Sequence, residues 1–214
     1  MKRIKQIILL SSLFSAALVN AQQTQLSTLY AYNPILINPA ESGYNRATDI
    51  GLNYRKQWTS YVGAPSTAWV AGHTNLGGKM GIGGVVLYDE LAFVTNIDAK
   101  LTYAYHLKLA ADFKLSFGLG LGIIQSAINF SDIMADDLSD EILTGGNVSG
   151  TMFDANFGTV INFKDLKLGV SLPQILQGST TLPTSNIEAS YNLKSHLNVY
   201  ANYDYEINKS VTIM

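Results

Sequence analysis

Cysteine is absent from the 214 residues. Its absence excludes a disulfide framework, a thiolate zinc site, a thiol nucleophile and a lipid anchor on a cysteine. Charge is scarce as well: Asp, Glu, Lys and Arg together make 14% of the chain, against roughly 25% in ordinary soluble domains. The formal net charge of -2 provides no electrostatic footprint for nucleic acid. After the first residues no apolar run approaches the roughly 20 residues of a membrane-spanning helix, because Gly, Ser and charged side chains interrupt each one.

The N-terminus has the layout of an export signal. Lys2, Arg3 and Lys5 precede a short apolar stretch, Ile7 to Val19, and Val19-Asn20-Ala21 offers small residues for cleavage. Residues 1–21 are therefore expected to be a signal peptide, with the mature chain starting at Gln22. An exported chain without disulfides needs either a large core or closure into a membrane barrel. Abundant Gly, Tyr and Asn with little charge suit the barrel, whose outer face is apolar and whose lumen is polar.

Period-two alternation carries the fold expectation. Ile97, Ala99, Leu101, Tyr103, Tyr105 and Leu107 alternate with Asn96, Asp98, Lys100, Thr102, Ala104 and His106. Phe113, Leu115, Phe117, Leu119, Leu121 and Ile123 oppose Lys114, Ser116 and three glycines. Leu197 to Ile207 repeats the pattern. Side chains two apart share a strand face, and such segments match the roughly 9–11 residues of a tilted membrane strand. Strands are expected at 48–58, 66–76, 79–89, 95–107, 112–125, 152–163, 166–173 and 195–207, with another starting near Val211.

The predicted connections alternate in length. Gly77-Gly78, 108–111, Lys164-Asp165 and 208–210 are short; 59–65, 90–94, 127–151 and 174–194 are longer. Short periplasmic turns and long outer loops do this in bacterial barrels. Tyr103, Tyr105, Phe163, Tyr203 and Tyr205 fall near the short-turn ends, as interfacial girdle residues should. The expected fold is thus all-β, an antiparallel transmembrane outer-membrane barrel: residues 22–47 form an extended Asn-Pro lead-in and 48–214 form the barrel. A soluble periplasmic β-sandwich is the alternative. About eight strands plus a stub ending at Met214 lead us to expect an N-terminal fragment of a longer barrel.

The least barrel-like stretch holds Tyr30, Asn33-Pro34, Asn38-Pro39-Ala40 and Gly43, followed by Tyr54-Arg55-Lys56-Gln57-Trp58, Gly63, Pro65 and Thr67. Proline keeps the preceding residue extended and favours turn initiation, so this part is expected to be a kinked lead-in at the periplasmic mouth or inside the lumen. In this ordered combination the segment resembles the start of the PorP/SprF family, membrane proteins of the type IX secretion system of Bacteroidetes. The resemblance is densest from Tyr30 to Thr67. Glu41-Ser42 departs from it, since the family more often has an aromatic and a small residue there, and the chain is also shorter than its family. The resemblance implies a non-enzymatic outer-membrane barrel of the secretion or gliding apparatus, with no cofactor and no catalytic or metal site. The implied partners are outer-membrane lipid, a secreted surface protein such as an adhesin, and periplasmic secretion-system lipoproteins. Tyr30, Asn33, Pro34, Asn38, Pro39, Arg55, Gln57 and Trp58 are the candidate contact residues. Trp58 also suits an interfacial girdle.

Two other groups of residues have side chains capable of chemistry. Asp132, Asp136, Asp137, Asp140 and Glu141 are oxygen-rich, but their spacing is not that of an EF-hand, and a solvated outer loop is the expectation. His106 and His196 fall on the polar face by alternation, with no evident nucleophile beside them; a Ser–His pair needs hydrogen-bond reach and an orienting group. A passive channel or small-molecule transporter is the alternative function. Its support is the polar face of Asn96, Asp98, Lys100 and Thr102, whereas inner glycines and tyrosines point to a narrow or plugged interior.

Overall fold

The structure, a computed structural model, describes residues 28–45, 47–129, 147–183, 188–208 and 211–213. The signal segment and the five carboxylates of the acidic loop lie outside these residues. No helix among the described residues is long and apolar enough to cross a membrane, which leaves strand crossing untouched.

Eight strands form one antiparallel sheet. They are β1 (Asp49–Lys56), β2 (Ser66–Gly77), β3 (Met80–Leu91), β4 (Val94–Ala110), β5 (Phe113–Asn129), β6 (Asn147–Phe163), β7 (Leu166–Leu172) and, after a small hairpin of β8 (Ser179–Pro183) and β9 (Glu188–Asn192), β10 (Asn198–Tyr203). Neighbours in sequence are neighbours in space, in the order β1-β2-β3-β4-β5-β6-β7-β10. Such an all-β antiparallel meander, curled into a half-barrel with β1 and β10 at its edges, has the strand order of an outer-membrane β-barrel. The two-stranded β8–β9 hairpin packs on the inner face of β6, with Thr180 against Gly150 and Tyr191 against the Ile124–Met152–Leu193 cluster. It is too small to be the second layer of a sandwich, and the remaining sheet is also a two-stranded hairpin.

The alternation read from the sequence is the division between the two faces. Leu101 and Leu121 lie side by side on the outer face, and so do Ala99, Ile123 and Phe153. Leu101 is 72% exposed and Phe153 77%. A continuous apolar surface of this kind is unfavourable in water and is what lipid requires. The inner face carries Thr102, His106, Ser116, Asp154 and Ser171, all buried. Phe113 and Phe163 are cross-strand partners with ring centroids 6.3 Å apart, at the end where β4–β5 and β6–β7 turn.

Four details differ from the expectation. β4, β5 and β6 run 17 residues each, beyond what a bilayer needs, so they project past the apolar band. The connection expected at 90–94 tightens to Ala92-Phe93, because Glu90 and Leu91 pair with Thr95 and Val94; Ala92 takes a positive φ of 53° and its N–H donates to Gly63 O at 2.9 Å. Loop lengths therefore do not alternate strictly. The stretch 174–194 contains the β8–β9 hairpin rather than irregular chain. Finally, the strand expected at 195–207 divides: β10 ends at Tyr203, and β11 (Tyr205–Asn208) pairs with β12 (Val211–Ile213) in a sheet of its own.

Candidate functional site

The lead-in is not an extended leader. Three short 3-10 turns, Thr28–Ala31, Pro34–Leu36 and Pro39–Glu41, coil it compactly. Local chemistry explains two of them. Asn33 and Asn38 each precede a proline and stay out of the helical region, with ψ of 79° and 112°, as the proline ring demands. Proline then opens the turn at a position where its missing N–H costs nothing. Asn38 also caps its turn, its Oδ1 accepting from Ala40 N at 2.9 Å.

Residues 33–44 form a strap laid along the inner face of the sheet. Ala40, Asn38 and Ser42 are completely buried and Glu41 nearly so. Small side chains opposite make room for a second backbone: a Cβ on Gly118 would strike Pro39 and Ala40, one on Gly158 would strike Asn38, and one on Gly81 would strike Ser42. Ile35 packs with Trp69 and Ala71 in an apolar cluster flanked by Leu36, Val85 and Leu87.

Polar contacts hold the strap along its length. Asn38 Nδ2 donates to Thr159 O (3.2 Å), Val170 O (3.3 Å) and Tyr200 Oη (3.3 Å). Tyr200 Oη in turn donates to Glu41 Oε1 at 2.8 Å, reaching over Gly169, where any Cβ would meet its ring. Lys167 Nζ lies 3.2 Å from Glu41 Oε2, an ion pair largely removed from water. Ser171 Oγ donates to Ile37 O at 2.5 Å. On the other flank Ser42 Oγ and Thr102 Oγ1 are 2.7 Å apart, Gly43 N donates to His73 Nδ1 at 3.2 Å and Asn75 Nδ2 to Gly43 O at 3.1 Å. Tyr44 ends the strap with its ring beneath Lys114 Nζ (3.5 Å) and Lys167 Nζ (4.4 Å). Burial pushes the Tyr44 phenol above its ordinary range, and Glu41 and Asp204 add to the rise, so it stays neutral.

One sequence expectation needs correcting here. His106 does have a hydroxyl beside it: its Nδ1 is 2.8 Å from Ser116 Oγ. The other ring nitrogen, 2.9 Å from Ser42 O, bonds a backbone carbonyl rather than an orienting carboxylate. Ser116 is wholly buried beneath the strap, so the pair ties strap to sheet and has no open approach for a substrate. Deeper in the lumen the Lys100 ammonium bonds Asp98 and lies 3.4 Å from Asp154.

The predicted site residues separate into two groups. Asn33, Pro34, Asn38 and Pro39 come together on the inner face, Asn38 at its centre; Tyr30, in the turn that precedes the strap, is about one-third exposed. Arg55, Gln57 and Trp58 lie at the far end of β1. Arg55 is exposed, Gln57 N donates to Pro65 O at 2.9 Å, and Trp58 is 69% exposed with a φ of 49°. Sequence reasoning missed Thr102, Ser171, Lys167 and Tyr200 as strap partners. Glu41 and Ser42 stood out only as departures from a family pattern.

An outer face fit for lipid, an Asn-Pro strap on the inner face and a meander of strands agree with the comparison to known families. Residues 19–214 match type IX secretion system membrane protein PorP/SprF. The chain belongs to the PorP/SprF family. No curated protein and no solved structure matches it. Membership makes this half-barrel a membrane component of the type IX secretion system. Among the described residues no group of three or more His, Cys, Asp or Glu is placed to hold a metal ion.

Proposed function

We propose that this PorP/SprF chain is a non-enzymatic outer-membrane barrel that helps secrete or anchor a surface protein, such as an adhesin, in a gliding or secreting Bacteroidetes cell. Its partners are outer-membrane lipid, that client, and the periplasmic lipoproteins of the secretion machine. The export signal read at 1–21 supports its route to the outer membrane. The observation that carries the reading is the strap: family-typical Asn-Pro residues form a cast of the lumen wall rather than a pore lining. Asn38 and Glu41 are spent on Thr159, Val170, Lys167 and Tyr200, contacts that position a segment and transform no substrate. A passive channel needs a wet lumen, and the strap covers the inner face where that lumen would run.

The test is deletion of the gene in its native host, followed by mass spectrometry of the cell surface. Loss of one surface protein or a small set, restored by the intact gene, is the expected result. An unchanged surface proteome defeats the reading.

A further inference from the structure

At the short-turn end of the sheet, side chains that donate hydrogen bonds line up across five strands. Lys108 on β4 faces Lys114 on β5, Lys114 faces Asn162 on β6, Asn162 faces Lys167 on β7, and Lys167 faces Asn202 on β10. By the alternation of the strands all five lie on the inner face. Three of the five, Lys108, Lys114 and Asn162, line a pocket of about 620 Å³ together with Tyr44 and Lys164; one N–H of the Lys114 ammonium already donates to Tyr44 O at 3.3 Å. Two aspartates, Asp112 and Asp165, also line it, so three ammonium groups outnumber two carboxylates. Glu41 is already engaged by Lys167 and Tyr200.

Asn162 is the second, independent observation. Its side chain is more than nine-tenths buried, yet Nδ2 has no hydrogen-bond partner. A buried amide donor left without a partner is destabilising and uncommon in native proteins. Here it lies between Lys114 and Lys167 in the row, at a pocket with an excess of positive charge. A buried donor flanked by ammonium groups is matched by an anion that accepts from several of them at once, and a carboxylate does so with short, charge-assisted bonds.

We propose that this pocket binds a carboxylate side chain from an acidic segment of a periplasmic protein, with Asn162, Lys114 and Lys164 as its donors. The inference rests on the reading that the short-turn end faces the periplasm. The inner-face position selects protein over lipid as the source of the anion, because phospholipid lies against the opposite face of the sheet. It also places the docked segment directly under Tyr44, so that docking would meet the end of the strap.

The test uses the full-length protein in detergent micelles and a rhodamine-labelled tetraglutamate peptide, read by fluorescence anisotropy, with tetraglutamine as control. Tetraglutamate should bind at least tenfold tighter than tetraglutamine. Asn162→Asp, which sets a carboxylate in place of the amide, should weaken binding tenfold or more. Lys164→Gln, in an exposed turn where folding is not at risk, should weaken it about threefold. Equal binding of the two peptides, or no change in both variants, would overturn the proposal. So would full displacement of the peptide by millimolar inorganic phosphate, which marks a small-anion site, or by phosphatidylglycerol vesicles, which marks a headgroup site. Surface display in the deletion host does not enter these measurements, so the pocket and the secretion reading fail separately.

Discussion

Asn38 illustrates how much a single side chain does in this molecule. Its carbonyl oxygen caps the turn that begins at Pro39, and its amide nitrogen reaches two backbone carbonyls on β6 and β7 and a phenol on β10. Asn38→Ala removes all of these and leaves the buried Ala40 N–H unsatisfied, a loss of about 2–4 kcal/mol given the cost of orphaned buried groups. Urea midpoints of the full-length barrel in micelles measure it. Glu41→Gln keeps the shape but removes the charge facing Lys167; with one partner of a mostly buried pair gone, about 2–3 kcal/mol should be lost. A double-mutant cycle with Lys167→Met should recover coupling between the two. Arg55→Ala, an exposed change on β1, is the control and should stay within about 0.5 kcal/mol. The Asn-Pro steps themselves were legible, because proline acts on its immediate neighbour. The partners were not: Glu41 and Tyr200 are 159 residues apart, and nothing local in either marks the other.

Among the elements, the strands were the easiest part to read, because each buries one face and its polarity alternates accordingly. Where alternation is poor the reading slipped. Ser179–Pro183 and Glu188–Asn192 are only five residues each, too short to display an alternation, so their hairpin looked like a loop. Glu90 and Leu91 resembled the start of a long loop, yet they pair in the sheet. The inner glycines were visible as a pattern on β5 without their causes: the strap backbone lies against Gly118, whereas Gly120 faces Thr102 and Asn156, and Gly122 faces Ala99 and Lys100. Gly118→Val should therefore expel the strap's centre while leaving the strand pairing of β5 intact. In micelles, strap residues should then become accessible to protease at concentrations that spare the parent protein. Deleting residues 33–44 should likewise raise single-channel conductance in planar bilayers, whereas an unchanged conductance would mean that the strap does not obstruct the lumen.

At the scale of the whole molecule, the two faces of one sheet divide the work between lipid and strap. The outer face predicts a charge penalty that the inner face does not share. Leu101→Arg, in the middle of the apolar band, should cost about 2–4 kcal/mol in lipid, measured by folding into vesicles across a urea series. The fold class and family were both readable in the sequence, from periodicity in the first case and from Tyr30 to Thr67 in the second. The three-dimensional use of the lead-in was open between the mouth and the lumen, because choosing requires knowing which strands its polar groups meet.

The most direct test of the strap exploits the absence of native cysteine. Ser42→Cys and Thr102→Cys replace two oxygens 2.7 Å apart, one on the strap and one on the inner face of β4. In outer membranes of the native host under mild oxidation, the pair should form an intramolecular disulfide, seen as a shift on a non-reducing gel that each single variant lacks. Two thiols that stay reduced, and that label freely with a maleimide, would contradict a strap seated inside the barrel.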